Sequence, residues 1–301
     1  MAQTVATPQS RAEHLRRISQ SLLNLPTLPT LAARLLDLVD NPATNASTLA
    51  QFMSQDQVIT ARLLKMCNSA YYGLGREVTS VHQSVVMLGF DMVREIALGV
   101  SVINAFKSAR GLEGFDISGF WDHSSAVGLV ARRVAKGWQP ALVSEAFTAG
   151  LLHDIGKVVL IQYLPDEFAE TLATAKAQGR NLFEVEREVF GTDHGQIGSW
   201  LAERWKLPKT LCDAMAFHHD LDRAPEESRN LVGIVQLADL LSRLLKAGNG
   251  GNPGTPLILR DLSELLLSWG LQPTMEGMKP LLANLVEELQ QTSSLRADLV
   301  G

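Results

Sequence analysis

Apolar residues recur along this chain at the three-to-four-residue spacing of a helix face, and no stretch of convincing length alternates as a half-buried strand would. Leu31, Leu35, Leu36 and Val39 fall on one such face. Asn41-Pro42 stops that helix, because proline lacks the amide hydrogen and crowds the preceding turn. Asn45 to Ser47 offers a cap for the next one. Leu49, Phe52 and Met53 begin a second stripe, Val58–Met66 a third, and Ser84–Leu88 and Met92–Val102 two more around Gly89. Later helices are predicted over Trp121–Ala135, Leu142–Leu152, Asp166–Ala177, Leu182–Val189, His194–Trp205, Lys209–His219 and Arg229–Leu245. The expected class is all-α.

Breaker residues divide this helical pattern. Gly111, Gly114 and Gly119 mark a soft boundary, and the glycines and prolines of Ala247–Pro256 predict a mobile loop. Leu262–Trp269 and Met275–Leu289 form a helical tail. The expected organisation is an extension over 1–20, a first helical half over 21–105, a second over 106–245, and a loop and tail over 246–301. With 46% apolar and 20% charged residues in 301, the chain has the material for sizeable cores, which excludes disorder as its main state. A net charge of −5 argues against a protein that blankets nucleic acid, so no direct nucleic-acid binding is expected. No uncharged apolar run reaches the ~18 residues of a membrane span, and Met1–Gln20 has no signal core. A cytoplasmic protein without a membrane partner is expected. Cys67 and Cys212 form no motif and read as reduced thiols.

Five of the seven histidines lie between positions 123 and 219, each in or at the end of a predicted helix. They are His123, His153, His194, His218 and His219. Asp154 follows His153 directly, and Asp239 lies on the next helix after the histidine pair. Imidazoles and carboxylates suit borderline divalent ions such as iron, manganese and zinc, and magnesium is a further candidate. A helical bundle can project such groups inward from several helices. Neighbours on a helix point about 100° apart. His218 and His219 therefore reach either two adjacent ions or one ion and one substrate group. Asp154, with two oxygens, could bridge two cations ~3.5–4 Å apart. Taken singly, each group has an ordinary explanation: a hydrogen-bonded core histidine, or a solvated helix end. The ordered set His, His-Asp, His, His-His, Asp is what points to one or two divalent metals.

That order resembles the HD superfamily of metal-dependent phosphohydrolases, and the surrounding sequence resembles the HDOD (HD-related output domain) family. The N-terminal half carries Leu25-Pro-Thr-Leu-Pro29, Asp40-Asn-Pro42, Asp56, Leu63-Leu-Lys-Met-Cys-Asn-Ser-Ala70 with Tyr71-Tyr72, Val78 to Ser80 and Leu88-Gly89. The second half adds Leu151-Leu-His-Asp-Ile-Gly-Lys157, Phe190-Gly-Thr-Asp-His194, Ile197-Gly198 and Trp205-Lys-Leu-Pro208. The resemblance implies a helical N-terminal subdomain packed on an HD-like helical bundle, and a role in bacterial signal transduction. It also implies a metal set of His123, His153, Asp154, His194, His218, His219 and Asp239, with Asp154 central to any catalysis. By similarity to the related HD-GYP enzymes, which hydrolyse cyclic di-GMP, Lys157 contacts a substrate phosphate; the plain alternative is a solvent-facing lysine near a helix end.

Two departures from the HD-GYP pattern limit the expectation. Gly119 stands where those enzymes place the glutamate of a third metal, so at most two ions are expected. The Gly-Tyr-Pro motif is missing after the histidine pair, which reads His218-His-Asp-Leu-Asp-Arg-Ala-Pro225. Cyclic di-GMP is thus a doubtful substrate. The leading reading is a regulatory module that binds a signalling partner through its N-terminal helices and carries a metal site. The alternative is a phosphohydrolase acting on a nucleotide or another phosphate ester, and a diiron redox or gas sensor is a third. Asn68 and Ser69 read as helix-capping groups, Tyr71, Tyr72, Trp200 and Trp205 as core or interface aromatics, and Glu184, Glu186 and Glu188 as a solvated face, with one of them supporting a metal ligand as the alternative. His14 and His82 receive no role.

Overall fold

The computed structural model describes residues 8–24, 34, 45–54, 57–68, 77–106, 112, 114–251, 258, 260, 261 and 265. Several expectations fall outside them: the Leu31–Val39 helix, the Leu25–Pro29, Asp40–Pro42 and Asp56 motifs, Ser69 to Tyr72, and the tail from Leu266 onward. The described residues are helical, and their only β-type pairing is an isolated bridge between Leu112 and Phe115. None of the described helices is long and apolar enough to cross a membrane. Cys67 and Cys212 are free and buried.

The chain forms two compact units. One takes residues 26–108 and 279–301. Its described helices are α2 (Ala46–Met53), α3 (Gln57–Cys67), α4 (Val81–Leu88) and α5 (Phe90–Ala105). Asn45 caps α2 by accepting from the Thr48 amide, and Ser80 caps α4 by accepting from the Gln83 amide. Asn68 accepts from the Val78 amide at 2.7 Å and donates to the Val78 carbonyl at 2.8 Å, so its role is structural: it ties the end of α3 to the approach to α4. Leu49, Met53, Leu63, Val85, Val93 and Val100 are buried in this unit.

The second unit takes residues 1–25 and 109–278. It opens with α1 (Pro8–Asn24), on which His14 bonds the Val189 carbonyl at 3.0 Å. Its bundle then runs α6 (Ile117–Trp138), α7 (Val143–Leu152), α8 (Ile155–Tyr163), α9 (Pro165–Gln178), α10 (Leu182–Phe190), α11 (His194–Arg204), α12 (Lys209–Phe217) and α13 (Arg229–Leu244).

Two glycine contacts set the distances that matter. A Cβ on Gly150 of α7 would stand 2.8 Å from the Val127 carbonyl and 2.9 Å from Gly128 Cα, so α6 and α7 pack backbone against backbone. A Cβ on Gly156 of α8 would stand 1.9 Å from the His194 carbonyl, so α8 and α11 do the same. Only the absence of a side chain permits either approach. The first brings the helices bearing His123 and His153 together, and the second brings Asp154 beside His194.

Candidate metal centre

All seven residues of the expected ligand set are in the second unit, and they converge. His123, His153 and Asp239 form one cluster, and Asp154, His194, His218 and His219 form another. Within each, one ligand atom per residue lies within 4.8 Å of the others. Except for His219, which is half-buried, each is at most 2% exposed.

The helix ends explain how the side chains are aimed. His153 and His218 occupy the C-terminal caps of α7 and α12. Each donates Nδ1–H to the carbonyl three residues back, His153 to Gly150 and His218 to Met215, both at 2.7 Å. A carbonyl can only accept, so each ring carries a proton on Nδ1 and turns its Nε2 inward. Gly191 ends α10 in the left-handed region, and Asp193 caps α11 by accepting from the Gln196 amide at 2.9 Å. His194 is thereby the first residue of α11. Its Nδ1 donates to Glu186 Oε2 at 2.6 Å, and its amide donates to the same oxygen at 2.9 Å. Asp154 holds the N-terminal cap position of α8 but makes no capping bond, so its carboxylate turns to the centre.

Asp154 links the clusters. Its Oδ1 lies 3.0 Å from His194 Nε2 and 3.6 Å from His218 Nε2, while its Oδ2 lies 3.3 Å from His153 Nε2. Asp239 Oδ1 lies 3.0 Å from His123 Nε2 and 3.9 Å from His153 Nε2. The Nε2 atoms of His194 and His219 are 2.9 Å apart, and His219 stacks on Phe183 with ring centroids at 4.5 Å.

The inward atoms fit divalent ions. His123 Nε2, His153 Nε2, His218 Nε2, Asp154 Oδ1 and Asp239 Oδ1 are buried without a hydrogen bond, an arrangement that is costly unless a cation completes it. Two carboxylates and five imidazoles are the donor set of a borderline metal. Burial alone would raise both aspartates. The Asp154 carboxyl is nonetheless held well below the ordinary range by His153, Lys157 and His194, and that of Asp239 by Arg243 and His123. Burial also opposes charge on His194, but the Glu186 and Asp154 carboxylates outweigh it and raise this histidine to about 9. His218 and His219 are lowered, chiefly by burial.

One expectation needs correction, the plain alternative for Lys157 is excluded, and the start of one loop is packed. Glu186 is not part of a solvated face: it is fully buried and holds His194, because the turn of α10 that carries it packs inward. Lys157 is not solvent-facing either. It is fully buried, with Nζ 2.6 Å from Asp154 Oδ2 and 2.8 Å from the Gly250 carbonyl. The described start of the Gly-rich loop, residues 247–251, packs on this side of the centre. The Asn249 amide donates to the Gly119 carbonyl at 2.8 Å, and a Cβ on Gly248 would stand 2.2 Å from the His123 backbone nitrogen.

Residues 25–221 match the family model of the HDOD domain. The chain belongs to the HDOD family. An HDOD domain protein of unknown function from Geobacter sulfurreducens is 26% identical in its crystal structure. The alignment covers 96% of this chain and 97% of that one, with a TM-score of 0.74. A protein from Shewanella amazonensis SB2B, named for a proposed phosphohydrolase activity, is 27% identical over 94% of this chain and 97% of its own, with a TM-score of 0.71. An uncharacterized protein of Treponema pallidum (strain Nichols) is 27% identical over 231 residues, 76% of this chain and 44% of that protein. The chain thus spans less than half the length of that curated relative. Asp239 lies beyond the matched HDOD region, yet α13 delivers it to the centre.

Proposed function

We propose that this HDOD protein is a regulatory module of signal transduction whose second unit carries a divalent metal centre, of iron, manganese or zinc. The observation that carries this reading is the convergence of seven ligand groups, six of them buried, into two clusters that Asp154 links. His123, His153 and Asp239 would hold one ion. His194, His218 and His219 would hold the other, with Asp154 between them. The residues of 21–105 would supply the surface for a signalling partner. Within the centre, Glu186 orients His194, and Lys157 neutralises Asp154 while tying it to the 247–251 loop.

A phosphohydrolase is the second reading, and one feature favours it. A cavity of about 270 Å³ reaches His218, His219 and Asp239, so a small molecule has a path to the ligand set. Bound divalent ions supply an acidified water and a clamp for phosphate oxygens. The similarity to the Shewanella protein named for such an activity supports the same class. Metal-loaded protein, assayed on a panel of phosphate esters that includes cyclic dinucleotides, separates the readings. Turnover abolished by Asp154→Asn supports hydrolysis. Full metal occupancy with no turnover supports the regulatory module, and a partner captured through residues 21–105 confirms it. A protein that takes up no metal contradicts both.

A further inference from the structure

Helix α1 docks on the turn that holds His194. Arg11, His14, Leu15 and Ile18 fall at i, i+3, i+4 and i+7, so they share one face of this helix. Ile18 is buried, while Glu13 and Arg16 are exposed and pair with each other. The shared face meets the C-terminal end of α10. The last four carbonyls of a helix have no partner within it. In α10 the Gly191 amide bonds that of Arg187. The next two are taken by α1: Arg11 Nε donates to the Glu188 carbonyl at 2.8 Å, and His14 Nδ1 donates to the Val189 carbonyl at 3.0 Å. The His14 ring also meets Phe190 edge-on, with centroids 5.6 Å apart. A Cβ on Gly191 would stand 3.4 Å from Leu15 Cδ1, so α1 packs against the turn itself. Further along α1, Arg17 pairs with Glu167 of α9 and donates to the Tyr163 carbonyl at 3.5 Å.

The capped turn is the one that positions a ligand. Glu186 of α10 accepts from both the amide and Nδ1 of His194. Arg187, beside it, holds Asp193 Oδ2 at 2.6 Å, and Asp193 caps α11. Without α1 the Glu188 and Val189 carbonyls would lose these partners, and fraying of the final turn would begin next to Arg187 and Glu186. Helix α1 lies outside the matched HDOD region, which starts at residue 25. It is also the covalent lead into the first unit, which takes over at residue 26.

We propose that α1 is a latch on the metal centre. Docked, its Arg11 and His14 hold the end of α10 and keep His194 in place. Undocked, it frees that ligand and loosens the ion held with Asp154, His218 and His219. Arg11 and His14 are positioning residues in this scheme. The latch rests on the metal reading for what His194 holds, whereas its grip on His194 belongs to the protein alone.

The test is residue-resolved hydrogen exchange on the full chain, without and with zinc, together with zinc retention against a competing chelator. Arg11→Gln combined with His14→Leu removes both capping donors. Glu13→Gln removes only the exposed pair with Arg16 and is the control. Without zinc, the double variant should exchange the amides of α1 and of His194 about tenfold faster or more, the scale set by two lost hydrogen bonds, and the control should match wild type. The double variant should also hold one zinc ion about tenfold less tightly or more, while the ion of His123, His153 and Asp239 stays. Linkage demands the converse, so zinc should slow exchange along α1 in wild type. A helix that only adds stability would not respond to zinc. Faster exchange in α1 with His194 unchanged overturns the proposal, and so does unchanged exchange in α1. Should the double variant unfold throughout the unit, Arg17→Gln, which loosens α1 away from α10, decides by the same two readings. A chain that takes up no zinc yet speeds α1 and His194 together upholds the grip on His194 while failing the metal reading. A chain that loads zinc without slowing exchange along α1 fails the latch alone.

Discussion

Gly156→Ala should damage the centre without touching a ligand. An ideal Cβ at this position would stand 1.9 Å from the His194 carbonyl oxygen and 2.8 Å from the Gly198 amide nitrogen. Ordinary contact starts near 3.4 Å, so α8 and α11 would have to part by about 1.5 Å. Both obstacles are backbone, and neither can rotate away. Overpacking of this kind costs about 1–3 kcal/mol. For a unit of this size that is a fall of about 2–12 °C in Tm. The same displacement would open the 3.0 Å gap between Asp154 Oδ1 and His194 Nε2, which lie on the two separating elements. Metal affinity at that cluster should fall about tenfold or more, the scale on which misoriented ligands weaken a site. Gly137→Ala is the control. It lies on the exposed end of α6 with nothing within 4 Å of the added Cβ, and it should be neutral or stabilising by up to ~1 kcal/mol. Thermal unfolding and metal content of the two variants are the assays. A Gly156→Ala protein with wild-type Tm and full metal would refute the claim that this backbone contact positions the centre.

Three further outcomes follow from the same geometry. In metal-free protein His194, raised from 6.5 to about 9 with Glu186 as a principal cause, contributes stability present below pH 6.5 and lost as pH rises through about 9. Metal-free Glu186→Gln should therefore lose less stability than wild type between pH 6.5 and 9 in urea denaturation, and should bind metal about 10–100-fold more weakly; matching pH profiles would contradict this. Lys157→Met removes the cation beside a fully buried Asp154, which should cost about 3–5 kcal/mol in chelator-treated protein and clearly less once metal is loaded. Denaturation with and without chelator checks the difference, and an equal loss in both states would be the wrong result. Gly248→Ala places a Cβ 2.2 Å from the His123 backbone nitrogen at a φ of +80°, so residues 247–251 should detach; hydrogen exchange of the Asn249 amide, now donated to Gly119, should accelerate. Unaltered protection there would show that the loop is held by something else.

The helical periodicity made the fold class legible, and the order of histidines and aspartates made the candidate ligand set legible: His123 and Asp239 lie inside long helices, while the other five sit at helix boundaries that leave their own mark. Gly191 and Asp193 frame His194, and the breaks after α7 and α12 place His153 and His218 on C-terminal caps. What stayed hidden depends on contacts between segments far apart in the chain. Glu184, Glu186 and Glu188 look alike as text. Only the packing of α10 decides that Glu186 is buried against His194 while Glu188 pairs with Arg180 at the surface. Lys157 could not be seen as buried, because one of its two partners is a carbonyl 93 residues away. The glycines at 150, 156 and 248 were visible as letters, but the backbone each one faces was not.

The measurement that tests the central claim most directly is metal content by mass spectrometry. It would be made on protein purified without chelator or histidine tag and reconstituted with iron, manganese or zinc, alongside His123→Ala and Asp154→Ala. The account predicts up to two ions per chain in wild type, loss of the ion held by His123, His153 and Asp239 in the first variant, and loss of bound metal in the second, where the shared carboxylate is gone. Wild-type protein that retains no metal after reconstitution, or an Asp154→Ala variant that retains as much as wild type, would contradict it.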